Sequence, residues 1–156
     1  MAEDKPEPRV KFRHLDDEKW QPVRAIELPT GPAYVREKWL EFSEKCLSLY
    51  AKWDPGMMIH KHGHNSEHIL YVISGSMTCG DVECTPGMHI TLGQGATFGP
   101  VIACTDGVEL VEVRMCDPRS FPGDSPGFEK LLKEKNAKRL PNPEIELPDW
   151  LEDTRN

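Results

Sequence analysis

The chain of 156 residues is most informative first for what it does not contain. No eighteen apolar residues run together, so no membrane-spanning helix is expected. The opening Met-Ala-Glu-Asp-Lys-Pro-Glu-Pro carries no apolar segment of the kind that leads secretion, and is expected to form a loose charged leader. A basic excess is missing too. Net charge is −7 with acidic residues spread along the chain, which argues against nucleic acid and anionic membrane as partners. The five cysteines, Cys46, Cys79, Cys84, Cys104 and Cys116, include no CxxC pair; an odd count without that spacing fits reduced thiols in a cytoplasmic protein. A Cys79–Cys84 disulfide across a hairpin is geometrically open, but ordinary small core residues are the simpler reading. Also absent are a nucleophile elbow, a P-loop, a GxGxxG turn, internal repeats and low-complexity tracts.

What is present points to strands. Fourteen Pro and twelve Gly punctuate the chain, and apolar content of 38% with four Trp, three Tyr and five Phe suffices for one packed core. Residues 35–42 alternate loosely and Leu47, Leu49, Ala51 and Trp53 alternate cleanly. Ile69–Ile73 is apolar on both faces and reads as a buried strand ending at Ser74-Gly75. Met77–Cys79 and Val82–Cys84 form a hairpin about Gly80-Asp81. A strand from Pro86-Gly87 to Leu92, a turn at Gly93–Gly95, a return over Val101–Cys104 and a last strand Val108–Val113 complete the series. Short strands with a turn every eight to twelve residues predict a sandwich or closed barrel. Ser125-Pro126 is expected to open a short helix that buries Phe128, Leu131 and Leu132 and ends before Pro141. The Pro-rich tail should wrap the barrel or a partner subunit through Ile145, Leu147 and Trp150. The expected organisation is an N-terminal arm over 1–34, the barrel over 35–117, and the helix and tail over 118–156.

Five of the six histidines lie between positions 60 and 89. His60, His62 and His64 alternate, so in a strand their imidazoles share one face, and His68 follows at the start of the buried run. Neutral imidazole is the commonest ligand for divalent first-row metals. A lone histidine is more often a hydrogen-bonded core or surface residue; four within nine positions predict a metal site. His89 shares the strand parity of Thr91 and His60 that of His62, which makes both acid/base or additional ligand candidates. A one-residue slip would instead turn Glu67 inward and His68 out.

The cluster resembles the first motif of the cupins. Gly56, five residues, His62-Gly-His64, three residues, His68, six residues and Gly75 reproduce its spacing, with His68 where the family has Glu. The second motif is fainter: Gly87, five residues, Gly93-Gln-Gly95, two residues and Phe98, with Gly93 for Pro, Phe98 for the last ligand His, and Ile102 for Asn. The resemblance covers about residues 46 to 115. It implies an all-β, single-domain antiparallel barrel (a jelly roll) with a divalent metal on His62, His64 and His68, and Tyr71 and Phe98 shaping the pocket. Three neutral ligands leave the ion its +2 charge, which favours small anionic or enolisable substrates. Fe(II) and a dioxygenase reaction are the leading expectation. The alternatives are a lyase, isomerase or decarboxylase on Zn, Ni or Mn, and a non-catalytic binding module. Small cupins pair through their sheets, and the apolar arm residues Val23, Ile26, Leu147 and Trp150 suggest a homodimer.

Overall fold

The computed structural model describes residues 7–152. Twelve strands and two helices follow in order: β1 (Gln21–Leu28), β2 (Gly31–Phe42), β3 (Cys46–Trp53), β4 (Met58–Ile59), β5 (His62–His64), β6 (His68–Cys79), β7 (Val82–Cys84), β8 (His89–Leu92), β9 (Thr97–Phe98), β10 (Val101–Met115), β11 (Ser120–Pro122), α1 (Ser125–Glu134), β12 (Lys138–Arg139) and α2 (Asp149–Glu152). Nine strands form one large antiparallel sheet in the order β12-β1-β2-β3-β10-β6-β7, with β4 on β10 and β8 on β6. The other three form a small sheet, β11-β5-β9. This is the all-β, antiparallel architecture read from the turn spacing. Among the described residues no helix is long and apolar enough to cross a membrane.

Alternation explains the packing. Ala33, Val35, Glu37 and Trp39 of β2, Leu47, Leu49, Ala51 and Trp53 of β3, and Val108, Leu110 and Glu112 of β10 all turn to the buried face. His68, Leu70 and Val72 do the same on β6, while Tyr71 and Ile73 between them are each 42% exposed. The hairpin at Gly80-Asp81 forms as expected, with Cys79 opposite Val82, and all five cysteines are free.

Three differences from the sequence reading have physical causes. The large sheet starts at Gln21 rather than near residue 35, because β1 pairs along its length with β2. The two strands expected over Val101–Cys104 and Val108–Val113 are one strand, irregular between Ala103 and Val108, since β6 carries pairing to both halves. The helix is capped by Asp124, whose Oδ1 accepts from Gly127 N at 3.0 Å, leaving Pro126 in the first turn. Phe128 and Leu132 are buried and Leu131 packs at the core margin. The arm and tail residues offered for pairing are used within the chain: Val23 and Ile26 belong to the core, and Leu147 and Trp150 pack against it. Ile145 stays 43% exposed.

Candidate functional site

Both sheets contribute histidines to one place. His62 and His64 come from β5, and Gly63 between them lets that strand lie close to its neighbours. A Cβ at Gly63 would stand 2.5 Å from the Ala96 carbonyl oxygen and 2.6 Å from Cζ of Phe121. His68 opens β6, opposite Arg114 of β10 and Leu92 of β8. Ring centres are 5.3 Å apart for His62 and His64 and 4.9 Å for His64 and His68. All three imidazoles are buried, His68 almost wholly. The one-residue slip is excluded: Glu67 is exposed and His68 faces in.

Each imidazole has one nitrogen held by a fixed acceptor. His62 Nδ1 donates to the His60 carbonyl at 2.8 Å. His64 Nδ1 donates to the carbonyls of Pro118 and Arg119 at 3.1 and 3.2 Å. His68 Nε2 donates to Glu112 Oε2 at 3.1 Å. These bonds orient all three rings, and in neutral His62 and His64 they leave a lone pair on the second nitrogen. His64 Nε2 and His68 Nδ1 are buried with no partner, an arrangement that costs free energy unless something partners those nitrogens. Burial pushes His62 and His64 down to about 4; the neighbouring charge of Arg114 and the neighbouring His68 add to the effect at His64. Both are neutral at physiological pH, the state that ligates metals.

Behind the histidines lies a buried ionic chain that the sequence reading missed. Arg114 lies 2.9 Å from Glu112 Oε2 and 3.6 Å from Glu37 Oε1, and Trp39 Nε1 donates to Glu37 Oε2 at 2.8 Å. Burial disfavours the charge of Glu112, yet Arg114 and the His68 hydrogen bond outweigh it and hold the carboxyl far below the usual carboxylate range. Glu37 goes the other way: burial raises it, and Arg114 offsets this only in part. Their signal was parity. Glu37 shares the inward phase of Val35 and Trp39, and Glu112 that of Leu110.

The candidates outside the cluster separate cleanly. His60 lines the same cavity as His62 and His64, half-buried, its basicity lowered by burial and then by Arg139 and Arg24. Phe98 lies over His62 at 4.6 Å and near His68 at 5.9 Å, where the second motif would place a further ligand. Two expectations are corrected. Tyr71 does not line the pocket: it stands on the outer face of β6, because the inward phase belongs to His68, Leu70 and Val72. His89 is exposed beside it, 6.5 Å from the Tyr71 ring, because Leu92 sets the inward phase of β8 and Thr91 the outward one.

The cavity in front of these groups has a volume of about 450 Å³, with Arg24, Glu37, Trp39, His60, His62 and His64 among its walls. Among the described residues no three His, Cys, Asp or Glu side chains already converge on one point. The donor chemistry nevertheless fits a divalent ion. Three imidazoles are fixed by hydrogen bonds at one nitrogen each, and two of the remaining nitrogens are buried without a partner.

An all-β antiparallel fold with histidines at the junction of a large and a small sheet is a cupin-type architecture. Similar solved structures agree. The polyketide cyclase RemF from Streptomyces resistomycificus superposes with a TM-score of 0.61 at 20% identity, over 82% of this chain and 97% of that one. A putative acetylacetone dioxygenase from Methylibium petroleiphilum gives 0.60 at 13% identity, over 80% and 91%. An RmlC-like cupin from Shewanella frigidimarina gives 0.55 at 15%, over 71% and 95%. No family model matches the sequence, and neither does any curated protein.

Proposed function

We propose that His62, His64 and His68 hold a divalent metal and that the protein is an enzyme acting on a small anionic or enolisable molecule, with a non-haem Fe(II) dioxygenase reaction as the leading assignment. The observation that carries this reading is the hydrogen-bonding of the three imidazoles, each engaged at one nitrogen, with the second nitrogens of His64 and His68 buried and without a partner. A bound divalent ion would supply Lewis acidity there and, as Fe(II), redox chemistry with O₂. The residues around it do the rest. Glu112 lines the cavity as well, but its charge is engaged by Arg114 and His68, so His62 and His64 present themselves to the cavity as neutral donors. Trp39 and Trp53 give the cavity apolar walls that limit water.

A second reading, a non-redox lyase, isomerase or decarboxylase on Zn, Ni or Mn, is favoured by a different observation. His60 and Glu37 line the same cavity, His60 held neutral and Glu37 inclined to keep its proton. Such a pair can accept and donate a proton in turn.

The test is to strip the protein, reload it separately with Fe(II), Mn(II), Ni(II) and Zn(II), and screen β-diketones, 2-hydroxy-ketones, thiols and aromatic diols with an oxygen electrode. The fold neighbour named for acetylacetone makes that diketone a natural first probe. Substrate-linked O₂ uptake with Fe(II) and none with Zn(II) is expected. Anaerobic turnover, or equal turnover with Zn(II), moves the assignment to the second reading. Tight binding without turnover under every metal makes the protein a binding module, in keeping with Phe98 in a ligand's place.

A further inference from the structure

A second cavity of about 240 Å³ adjoins the first and shares Arg24, Ile59 and His60 with it. Its remaining walls are mixed: Met57, Met58 and Phe128 supply an apolar side, and Arg139 and Asn142 a polar one. Arg24 belongs to both cavities because of a bulge. The β1–β2 register shifts between Pro22 and Arg24, so Gln21 lies opposite Glu37 while Arg24 lies opposite Val35. Glu37 and Val35 both face inward. In an unbroken register Val23 would take the place opposite Val35 and Arg24 would fall opposite Tyr34, on the outer face. Bulges commonly re-aim a side chain in this way next to functional sites.

The re-aimed guanidinium has no carboxylate of its own. Its hydrogen bond goes to the Val23 carbonyl at 3.0 Å, and no described carboxylate is in ion-pair contact with it. The other cations around the two cavities are matched: Arg114 by Glu112, Arg119 by Asp117 and Arg139 by Glu129. Glu37, whose field reaches Arg24, is engaged by Trp39 and faces Arg114. Burial, and after it the like charge of Arg114, lowers the basicity of Arg24 below its ordinary value. A half-buried guanidinium left without an anion is costly, and its planar fork suits a two-oxygen partner.

We infer that Arg24 is the substrate's anion-recognition residue, and that the substrate is a monocarboxylate with an apolar body: the carboxylate on Arg24 at the junction of the cavities, the apolar part along Met57, Met58 and Phe128. One unmatched guanidinium beside an apolar wall selects a singly charged head group over a phosphate dianion. This rests on the reading of the histidine-lined cavity as the substrate site.

The experiment measures calorimetric binding of phenylacetate, its uncharged analogue phenylacetamide and inorganic phosphate, to metal-free and to metal-loaded protein. Wild type is expected to bind phenylacetate at least tenfold more tightly than phenylacetamide, metal present or not, because charge-assisted hydrogen bonds are lost with the charge. Arg24→Met keeps the length of the stem and should bind the two probes alike, and Arg24→Lys should recover only part of the preference. Unchanged melting temperatures of both variants guard against a folding explanation. Equal binding of the two probes by wild type, or a preference that survives in Arg24→Met, overturns the inference. Tighter binding of phosphate than of phenylacetate overturns the carboxylate assignment. A preference that depends on Arg24 in a protein that takes up no metal upholds the inference and removes the metal reading, so the two fail separately.

Discussion

At the residue scale the histidines divide by what their second nitrogen can do. His62→Ala, His64→Ala and His68→Ala should each purify nearly metal-free by elemental analysis, whereas Glu67→Ala, exposed just before β6, should keep its metal. Glu112→Gln tests the support behind them. It removes the charge that Arg114 and His68 share, so metal affinity should fall roughly 10–100-fold. Stability should fall by about 3 kcal/mol, since Arg114 is left with Glu37 alone. Metal titration and urea melts read the two effects separately. In metal-free protein His62 and His64 also set a pH dependence. Their folded values near 4 lie below the unfolded value of about 6.5, so the stability of their neutral forms is complete above 6.5 and is lost as pH falls toward 4. About 2 kcal/mol is expected for the pair after allowance for partial exposure. Glu37, raised by burial, contributes the opposite slope. The measurement is therefore a difference, melting temperature against pH for wild type and for the His62→Ala/His64→Ala double variant, and the variant should show the shallower acid loss.

At the element scale, what was legible in the sequence was whatever repeats at period two or is cut by a turn. The Gly80 hairpin, the inward phase of β3 and the HxH face of β5 were open to reading. Glu37, Glu112, Arg114 and Arg24 were not, because a single charge in a strand resembles a solvated one until the neighbouring strands fix its phase. The run Ile69–Ile73, apolar on both faces, hid the outward turn of Tyr71. At His89 the phase was taken from Thr91 when Leu92 carried it. In β1 the bulge breaks parity itself, so counting by twos could not have found Arg24. Gly63 offers the corresponding test. Gly63→Ala puts a Cβ against Ala96 and Phe121, and β5 must draw back from its neighbours. Metal affinity should fall at least tenfold, with circular dichroism of the large sheet unchanged.

At the scale of the whole molecule, the apolar arms that suggested pairing are occupied at home, yet apolar surface remains elsewhere. Tyr71, Ile73 and Val82 are exposed on β6 and β7, and the homodimer we propose uses this face. Light scattering at micromolar concentration should give about twice the 17.7 kDa of one chain, and Ile73→Lys should return the value to one chain.

The division of the histidines between two sheets has a dynamic consequence. His62 and His64 ride on the three-stranded sheet and His68 on the nine-stranded one, so an ion shared by all three ties a small lattice of backbone hydrogen bonds to a large one. In the metal-free protein the small sheet, held by few backbone hydrogen bonds, is expected to open independently of the large one. Opening would break the shared coordination, so at a free metal concentration a hundred times the dissociation constant it becomes costlier by about 2.7 kcal/mol. Amide hydrogens of residues 62–64, 97–98 and 120–121 should then exchange with deuterium about a hundredfold more slowly, while those in β3 hardly change. The local clock of one small sheet would report occupancy of the centre without any substrate being known.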